Sequence, residues 1–528
     1  MRCSHVKGAQ AILETLHRGG VDTILANPGT SEMALVRALD ETPGVRAVLG
    51  LFEGVVTGAA DGYFRMSGRP AATLLHTGPG LANGCANLHN ARRARSAIVN
   101  IVGDHARDHL ALDAPLTTDI EAVAEPFSVW VRRIEEPGDA GGDAADALMV
   151  ARERRGPATL IVPADVAWTE GAGPVEPQLV AARAVPDAAA IENAAKVLRA
   201  AGSRAMLLLG GAALDSQGIA AAARIAAATG ARLASETFNA RSARGAGRPF
   251  VQRVPYFGEA AEAFLAGVAQ LLLVESRAPV NFFGYPGRRG QPLPAESAVS
   301  TLATPAEDGS AALIALADWL APGSAAPLPS FTLPERPQGP INAVSFAAAL
   351  ARRLPENAIY CDEAITAGLA LPAVMAGAAP HDELDLVGGA IGDALPLATG
   401  AALASPGRRV VCASGDGSAL YTIQALWTQA RENLDVTTII CANRVYAILA
   451  YEHLQIEGRP PGPRALPVLS LARPAIGFTE LARGFGVEAV SVASAEALDD
   501  ALDAAGHRRG PFLIEAVFEP MTLPVGRR

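Results

Sequence analysis

Short apolar runs rich in Val, Ile and Leu alternate along the chain with longer runs rich in Ala and Leu. The short runs contain few polar positions, which is the pattern of strands buried on both faces of a sheet. The longer runs are typical of helices that connect such strands. The alternation predicts parallel sheets covered by helices, with strands at 71–76, 97–102, 205–209, 271–274, 410–413 and 437–441.

Two stretches rich in Pro, Gly and Ala, at 170–186 and 322–340, interrupt this alternation and are typical of linkers. They divide the chain into segments 1–169, 187–321 and 341–528, each of a length usual for one domain. We therefore predict an α/β protein with three consecutive doubly wound parallel-sheet domains. Ligands of such folds bind at the carboxyl ends of strands, so functional residues are expected at those junctions.

The composition removes several classes of function. Of the 528 residues, 50% are hydrophobic and 19% are charged, and the formal net charge is −10. Such an acidic chain offers no basic surface to a phosphate backbone, so we expect no nucleic-acid partner. No apolar run approaches the ~18 residues of a membrane span, and residues 1–10 lack the apolar core of a signal peptide. We therefore expect a cytoplasmic protein without membrane association.

The sequence also offers little chemistry from side chains alone. Its five cysteines include no CxxC pair, so buried thiols are expected rather than disulfides or a structural zinc site. The only lysines are Lys7 and Lys196, near the terminus and in an Ala-rich helical stretch, so a Schiff-base lysine is not expected. No GxxxxGKS/T, HExxH or GxSxG motif occurs. A bound cofactor is the leading expectation.

The stretch 410–452 carries the clearest chemical pattern. An apolar strand ends at Ser414, the turn Gly415-Asp416-Gly417 follows, and a helix is predicted over 419–433. A second strand ends before Asn443, so an aspartate and an asparagine follow the carboxyl ends of two strands. Carboxylate and amide oxygens suit Mg²⁺ that is shared with phosphate. The glycines let the backbone approach a diphosphate, although such a turn alone is common in loops.

This stretch resembles the cofactor signature of the thiamine diphosphate (ThDP) enzymes of the pyruvate oxidase, acetolactate synthase and benzoylformate decarboxylase group. In that signature GDG is followed, one crossover unit later, by two asparagines, and Ala442 replaces the first of them here. The resemblance implies these Mg²⁺ ligands: Asp416, Asn443 and the main-chain carbonyl of Val445. It further implies these contacts with the cofactor: Gly415, Gly417 and Ser418.

Two further stretches resemble parts of the same cofactor site. Residues 388–404 resemble the Gly-rich loop and helix that precede the GDG strand, which implies that Ile391 is the apolar wedge that holds the cofactor bent. Thr366, in the strand-end stretch 360–366, is implied as a diphosphate contact. Asp393 departs from the aromatic or small residue of the family, and we expect it to alter the substrate pocket.

Glu53 is a lone carboxylate in an apolar run, and burying it is costly unless it is protonated or paired. We expect a strand to end at Glu53 and a helix to follow. The stretch 48–68 resembles the family's glutamate with its small-residue helix, which implies that Glu53 hydrogen-bonds N1′ of the aminopyrimidine. The alternative is a carboxylate that caps a helix. Gly29 and Asn83 are implied to line the pyrimidine.

Substrate-facing residues are implied by two other strand ends. The turn Asn27-Pro28-Gly29-Thr30 resembles the NPGS turn of benzoylformate decarboxylases, with Thr30 where their substrate-binding serine stands. His76 matches their catalytic histidine, whereas the following Gly78-Pro79-Gly80 matches acetolactate synthases. The resemblance implies that Thr30 orients the substrate carboxylate and that His76 transfers protons. The alternative is a hydrogen-bonded structural histidine.

The middle segment is the least decisive. Gly284 stands where benzoylformate decarboxylases carry a second active-site histidine. Acetolactate synthases bind FAD in this domain, and Gly210-Gly211 with the loop 239–241 could belong to a nucleotide site. Because glycines after strands are common in α/β folds, the sequence leaves FAD open without supporting it.

The resemblance covers nearly the whole chain and implies a ThDP- and Mg²⁺-dependent 2-oxo acid decarboxylase or carboligase. Its three domains would be a pyrimidine-binding, a central Rossmann-like and a diphosphate- and Mg-binding domain. The enamine on ThDP would be protonated to an aldehyde or joined to an aldehyde or keto acceptor. The family builds each site from two subunits, which implies a homodimer or homotetramer.

Three alternatives stay open at this point. One is an FAD-containing acetolactate synthase or oxidase. Another is a catalytically idle ThDP-fold subunit, against which the intact Glu53, Asp416 and Asn443 argue. The third is a nicotinamide-dependent dehydrogenase, against which the lack of GxGxxG after the first strand argues.

Overall fold

Parallel strands joined by helices recur along the computed structural model, which describes residues 6–326, 328 and 332–519. The strands of these residues form sheets of six, five and seven strands and a two-stranded ribbon. This confirms the predicted fold class of three consecutive doubly wound parallel sheets. Across the described part of the chain, every helix is too short or too polar to cross a bilayer.

The first sheet is built by residues 6–171. Its elements are β1 (Val6–Lys7), α1 (Gly8–Arg18), β2 (Thr23–Asn27), α2 (Met33–Asp40), β3 (Arg46–Leu49), α3 (Glu53–Ser67), β4 (Ala71–Leu75), α4 (Thr77–Ala94), β5 (Ile98–Asp104), α5 (Ile120–Ala124), β6 (Trp130–Arg133), α6 (Ala140–Arg154), β7 (Pro157–Pro163), α7 (Ala164–Trp168) and β8 (Glu170–Gly171). The parallel order is β3-β2-β4-β5-β7-β6, and β1 pairs with β8. Successive side chains of a strand point to opposite faces of the sheet. In β2, Ile24 packs in the apolar cluster of α1 and α6, and Leu25 packs in that of α3 and α4.

The middle sheet follows over residues 188–320. Its elements are α8 (Ala188–Ala201), β9 (Ala205–Leu209), α9 (Ser216–Thr229), β10 (Arg232–Ser235), β11 (Ser242–Arg244), β12 (Gln252–Arg253), α10 (Gly258–Leu265), β13 (Gln270–Val274), β14 (Ala298–Ala303) and α11 (Gly309–Leu320). Five of these strands are parallel in the order β12-β10-β9-β13-β14. The remaining strand, β11, leaves this sheet.

The third sheet completes the described chain. Its elements are α12 (Ala343–Arg353), β15 (Ala358–Glu363), α13 (Leu371–Val374), β16 (His381–Asp385), α14 (Ala394–Ala404), β17 (Val410–Gly415), α15 (Asp416–Ala419), α16 (Ala425–Arg431), β18 (Val436–Ala442), α17 (Ala447–Glu457), α18 (Leu466–Leu469), α19 (Phe478–Gly484), β19 (Glu488–Val492), α20 (Ala495–Gly506) and β20 (Phe512–Val517). The order is β11-β16-β15-β17-β18-β20-β19, with only β11 antiparallel to its neighbour. Since β11 comes from the middle segment, the domain bounds at 1–169, 187–321 and 341–528 stay a prediction.

The predicted strands agree closely with the observed ones, and 205–209 coincides with β9. Two predicted details are wrong. The strand expected to end at Glu53 ends at Leu49, and Glu53 begins α3. The helix predicted over 419–433 is interrupted between α15 and α16. There the Thr422 hydroxyl donates to the Gly392 carbonyl at 2.8 Å, which holds the segment against another loop.

The first and third sheets pack together within one chain through α3 and α14, whose apolar side chains belong to one continuous cluster. Arg65 on α3 is buried and forms an ion pair with Asp61, and its Nη2 lies 3.9 Å from Asp393 Oδ2. Asn87 on α4 donates Nδ2 to the Gly392 carbonyl at 3.2 Å. These contacts fix the loop 388–392 against the first sheet.

Candidate functional site

Asp416 lies where β17 ends, and the residue is 4% exposed. Its Oδ1 accepts from the Gly417 N–H at 2.9 Å, and its Oδ2 accepts from the Arg444 N–H at 2.5 Å. Burial raises the pKa of Asp416, and these N–H donors act in the opposite direction. No Lys or Arg side chain of the described residues forms an ion pair with this carboxylate. A buried carboxylate whose hydrogen-bond donors are backbone N–H groups, and which has no side-chain ion pair among the described residues, is suited to a bound cation.

Asn443 and Thr366 lie beside this carboxylate because β15, β17 and β18 are neighbouring parallel strands whose carboxyl ends meet. Asn443 accepts the Val445 N–H on Oδ1 at 3.1 Å, and its Nδ2 lies 3.5 Å from the Thr366 hydroxyl. Gly417 faces the Tyr446 ring so closely that a Cβ would overlap it. The fold therefore brings together the following predicted residues: Thr366, Gly415, Asp416, Gly417, Ser418, Asn443 and Val445.

Ile391 is half-buried on the loop 388–392, which Glu363 holds in place. Glu363 is the last residue of β15 and is buried. It accepts the Gly392 N–H at 2.7 Å and the Ser414 hydroxyl at 2.7 Å. Burial raises the pKa of Glu363, although these donors oppose the shift. Sequence reasoning missed Glu363, although it lies inside the strand-end stretch that pointed to Thr366.

Asp393 lies in the interior between the first and third sheets, and its effect on the substrate pocket stays a prediction. Its side chain is fully buried beside Arg65, where burial raises its pKa well above the ordinary value. Asp393 thus belongs to the packing between α3 and α14.

Glu53 begins α3 and is 9% exposed. Asn83 on α4 donates Nδ2 to Glu53 Oε2 at 3.0 Å, so these two predicted residues are in contact. A Cβ added to Gly80 would lie 3.1 Å from Glu53 Oε1 and 3.3 Å from His76 Cβ. Glu53 and His76 therefore lie on either side of the same helical turn.

His76 is held by a carboxylate that the sequence reasoning missed. Its Nδ1 lies 2.8 Å from Glu32 Oε2, which also accepts the Gly29 N–H at 2.7 Å. Glu32 is fully buried, and burial raises its pKa while His76 and Gly29 oppose the shift. A Cβ on Gly29 would overlap the imidazole ring, so only glycine leaves room for this orientation. Thr30 is exposed at the start of the same turn, Thr30–Glu32.

When Glu32 is ionised it accepts the Nδ1 proton of His76, which leaves Nε2 to exchange a proton with a bound molecule. The histidine side chain is 23% exposed, so Nε2 can be reached. A glutamate three residues after Gly29, at a helix start, is a capping signal that could have found Glu32. Its contact with His76 spans 44 positions and has no local signal.

Three residues next to the predicted site residues have a strained backbone. The left-handed conformation is adopted by Thr77 (φ 47°), Ile365 (φ 50°) and Arg444 (φ 58°). Thr77 follows His76, Ile365 precedes Thr366, and Arg444 lies between Asn443 and Val445. Such conformations are unfavourable for β-branched residues and concentrate at functional sites.

The predicted residues thus form two groups. The first group surrounds Asp416 at the edge of the third sheet. The second joins Glu53, Asn83, His76, Gly29 and Thr30 at the edge of the first sheet, together with the unpredicted Glu32. Glu53 and Asp416 share no hydrogen-bond partner among the described residues. Three doubly wound sheets, a cation-suited group and a buried glutamate beside a histidine define a cofactor-dependent α/β enzyme.

Comparison with known proteins identifies the family of cofactor-dependent enzymes to which the chain belongs. Residues 6–123 match the family described as thiamine pyrophosphate enzyme, N-terminal TPP binding domain, and residues 371–516 match its C-terminal TPP binding domain. Thiamine pyrophosphate is another name for ThDP. The chain belongs to the thiamine pyrophosphate enzyme family.

Relatives that align over nearly the whole chain show which members of this family it resembles. The chain is 51% identical to the "putative acetolactate synthase large subunit IlvX" of Mycobacterium tuberculosis, over 97% of this chain and 99% of that protein. It is 31% identical to benzoylformate decarboxylase of Pseudomonas aeruginosa, over 96% and 97%. A solved ThDP-dependent 4-hydroxybenzoylformate decarboxylase from Rhodococcus jostii RHA1 matches with a TM-score of 0.84 and 25% identity, over 98% and 100%.

The chain is therefore a ThDP-dependent enzyme of the acetolactate-synthase-like or benzoylformate-decarboxylase-like kind, as the sequence motifs predicted. This excludes the nicotinamide-dependent dehydrogenase.

Proposed function

We propose that the protein is a ThDP- and Mg²⁺-dependent decarboxylase or carboligase of 2-oxo acids. When bound, ThDP supplies the electron sink that lets the substrate lose CO₂. The observation that carries the proposal is the buried Asp416 carboxylate, without an ionic partner among the described side chains, beside the Asn443 amide.

The residues around Asp416 fit Mg²⁺ and a diphosphate. Asp416, Asn443 and the Val445 carbonyl supply three hard oxygen ligands, and a cation there offsets the cost of burying the carboxylate. The backbone at Arg444 is held in an unfavourable conformation, which fixes the ligands on either side of it, Asn443 and Val445, relative to each other. The proposed diphosphate contacts are Thr366, Gly415, Gly417 and Ser418.

Glu53 is proposed to hold a proton at N1′ of the aminopyrimidine. Asn83 orients the Glu53 carboxylate by donating a hydrogen bond to Oε2. Its burial at a helix start, with one amide as side-chain partner, suits a carboxyl group that shares a proton with a ring nitrogen. Ile391 is proposed to press on the cofactor from the loop that Glu363 anchors. Gly29 lies near enough to His76 to line the same pocket.

His76 is proposed to transfer protons at Nε2, with Glu32 as the positioning residue. Thr30 is proposed to orient the substrate carboxylate, because it is exposed on the turn that also holds Glu32. The product is then an aldehyde or a ligated carbonyl compound. Which one forms depends on whether a proton or an aldehyde or keto acceptor reaches the site.

The complete site is proposed to need two copies of the chain, as a homodimer or homotetramer. The Glu53 group and the Asp416 group share no hydrogen-bond partner in the described chain. Each has exposed apolar neighbours: Leu51 is 42% exposed beside Glu53, and Tyr421 is 54% exposed beyond Asp416. A second copy would cover both.

The function is tested by incubating protein loaded with ThDP and Mg²⁺ with aromatic and aliphatic 2-oxo acids, with and without aldehyde acceptors. We expect CO₂ release from at least one of them, and Asp416→Ala is the matched inactive control. Absence of CO₂ release and ligation across the panel would reject the proposal in favour of the idle subunit.

A further inference from the structure

The middle sheet has a crevice of the kind that binds ligands in open α/β folds. From β9 the chain builds β10 on one side and β13 on the other, so the strand order reverses between β9 and β13. Ligands of such sheets bind outside the carboxyl ends of the strands at this point. Here Gly210-Gly211 follows β9, and Glu275 follows β13.

The crevice is filled by the Glu275 side chain, which is fully buried. Oε1 accepts the N–H of Gly309, the first residue of α11, at 2.8 Å. Oε2 accepts the Ala212 N–H from the turn after β9 at 3.3 Å. Arg183 lies 2.8 Å from Oε1 and Arg155 lies 3.5 Å from Oε2, so two cations and two backbone donors converge on one carboxylate.

The backbone around Glu275 is arranged for this contact. Glu275 itself adopts a left-handed conformation (φ 50°), which is unfavourable for a side chain other than glycine. Gly211 leaves open the space that the carboxylate occupies, since a Cβ there would overlap Oε2. Backbone N–H groups at a glycine turn and at the first turn of a long helix, with nearby arginines, are the donors that a nucleotide diphosphate uses.

We infer that Glu275 is an internal anion that occupies the place of a diphosphate in the middle domain, so this domain takes no dinucleotide such as FAD. The neighbouring cavity of about 1820 Å³, lined in part by Arg92, Arg95 and Arg277, is large enough for a nucleotide. A dinucleotide is therefore excluded because the backbone N–H donors and the arginines of the crevice are already bonded to Glu275, and not because space is lacking. The residues do not fit a flavin cofactor, and this disagrees with the FAD-containing alternative.

The test compares thermal unfolding with and without inorganic phosphate, in protein saturated with ThDP and Mg²⁺ so that phosphate finds the cofactor site occupied. Glu275→Ala empties the crevice and removes the carboxylate that pairs with Arg155 and Arg183, which keep only their bonds to the Pro305 and Glu307 carbonyls among the described contacts. We expect it to unfold several degrees lower than the wild type, and phosphate to restore at least half of that loss. Glu275→Gln still fills the space, so it should be destabilised but not rescued.

Glu259→Ala is the matched control, because it removes a surface carboxylate of the same domain that pairs with Arg288, far from Glu275 in its contacts. It should respond to phosphate as the wild type does. Equal phosphate effects on Glu275→Ala and the wild type would overturn the inference.

A second measurement does not depend on the variants. Wild-type protein loaded with ThDP and Mg²⁺ is titrated with FAD and followed by flavin fluorescence and calorimetry. We expect no saturable binding, and a complex of one FAD per chain would overturn the inference even if Glu275→Ala fails to fold.

Discussion

Buried carboxylates organise the candidate site at the scale of single residues. Glu32, Glu363 and Asp416 are all withdrawn from water, and burial raises the pKa of each. Each is compensated by backbone N–H groups at the end of a strand or the start of a turn. Such groups are held in one orientation, which a site needs if it is to place a proton or a cation.

The sequence could point to Asp416 and Glu53 because each lies within a motif of fixed local spacing. Glu32 and Glu363 could not be assigned roles in the same way. Their decisive contacts, with His76 and with the loop 388–392, join positions about 30 to 44 residues apart and exist only after folding.

Glu53→Gln should lower kcat by at least ~100-fold, because an amide cannot hold the proton at N1′. ThDP affinity should change by less than about threefold, since Gln keeps the size of the side chain. Steady-state kinetics and calorimetry with ThDP measure the two effects. Glu41→Gln, at a surface carboxylate paired with Arg37, is the control. Full activity of Glu53→Gln would reject the assigned role.

Glu32→Gln should lower kcat/KM by about tenfold, because His76 loses the carboxylate that orients its ring. The pH dependence of kcat/KM should shift as well, which a purely structural role would not cause. The double variant with His76→Ala should be no worse than His76→Ala alone. Additive losses would show that Glu32 acts independently of the histidine.

At the scale of elements, the strands were easier to predict than the segments between them. Buried parallel strands are marked by continuous apolar runs, so β9 was placed with its correct ends. The break between α15 and α16 depends on the bond from Thr422 to the Gly392 carbonyl, which the residues 419–433 do not reveal. The departure of β11 to the third sheet is likewise a tertiary pairing.

An ion-pair network joins β15, β16 and β12 at this scale. One ligand oxygen each of Asp362, Glu383 and Asp385 lies within 4.8 Å of the others. Arg253 pairs with Glu383 at 2.6 Å and with Asp385 at 2.8 Å. Its guanidinium therefore balances part of the negative charge of this cluster. Burial and the neighbouring Glu383 raise the pKa of Asp362 to about 7.

Folding therefore favours the protonated form of Asp362, whose ordinary pKa is 3.8. This contribution to stability is present at low pH and is lost as the pH rises toward 7. The wild type should lose more stability between pH 5 and pH 8 than Asp362→Asn does. Thermal unfolding at both pH values measures this, with each pKa unit worth about 1.4 kcal/mol. Equal losses would contradict the assigned pKa.

At the scale of the whole molecule, one chain carries both halves of a site on separate sheets. The packing of α3 against α14 ties these sheets together and fixes the loop 388–392. The sequence predicted the three-sheet fold because each sheet repeats the same alternation of strands and helices. The local pattern does not show whether a second copy covers the exposed Leu51 and Tyr421.

A mixing experiment tests whether each site is shared between two chains. Glu53→Gln and Asp416→Ala should each be inactive alone. If one site uses Glu53 of one chain and Asp416 of the other, random exchange of subunits restores one intact site in half of the dimers. The mixture should then recover about a quarter of wild-type activity. No recovery after proven exchange would place both halves of the site in the same chain.

The central claim is that Asp416 and Asn443 hold the metal that binds ThDP. Calorimetric titration of the wild type with ThDP, in Mg²⁺ and then in excess chelator, tests it most directly, with Asp416→Ala measured beside it. We predict saturable binding in Mg²⁺ that is lost with the chelator, and at least ~100-fold weaker binding to Asp416→Ala in Mg²⁺. Equal ThDP affinity in all of these conditions would contradict the claim.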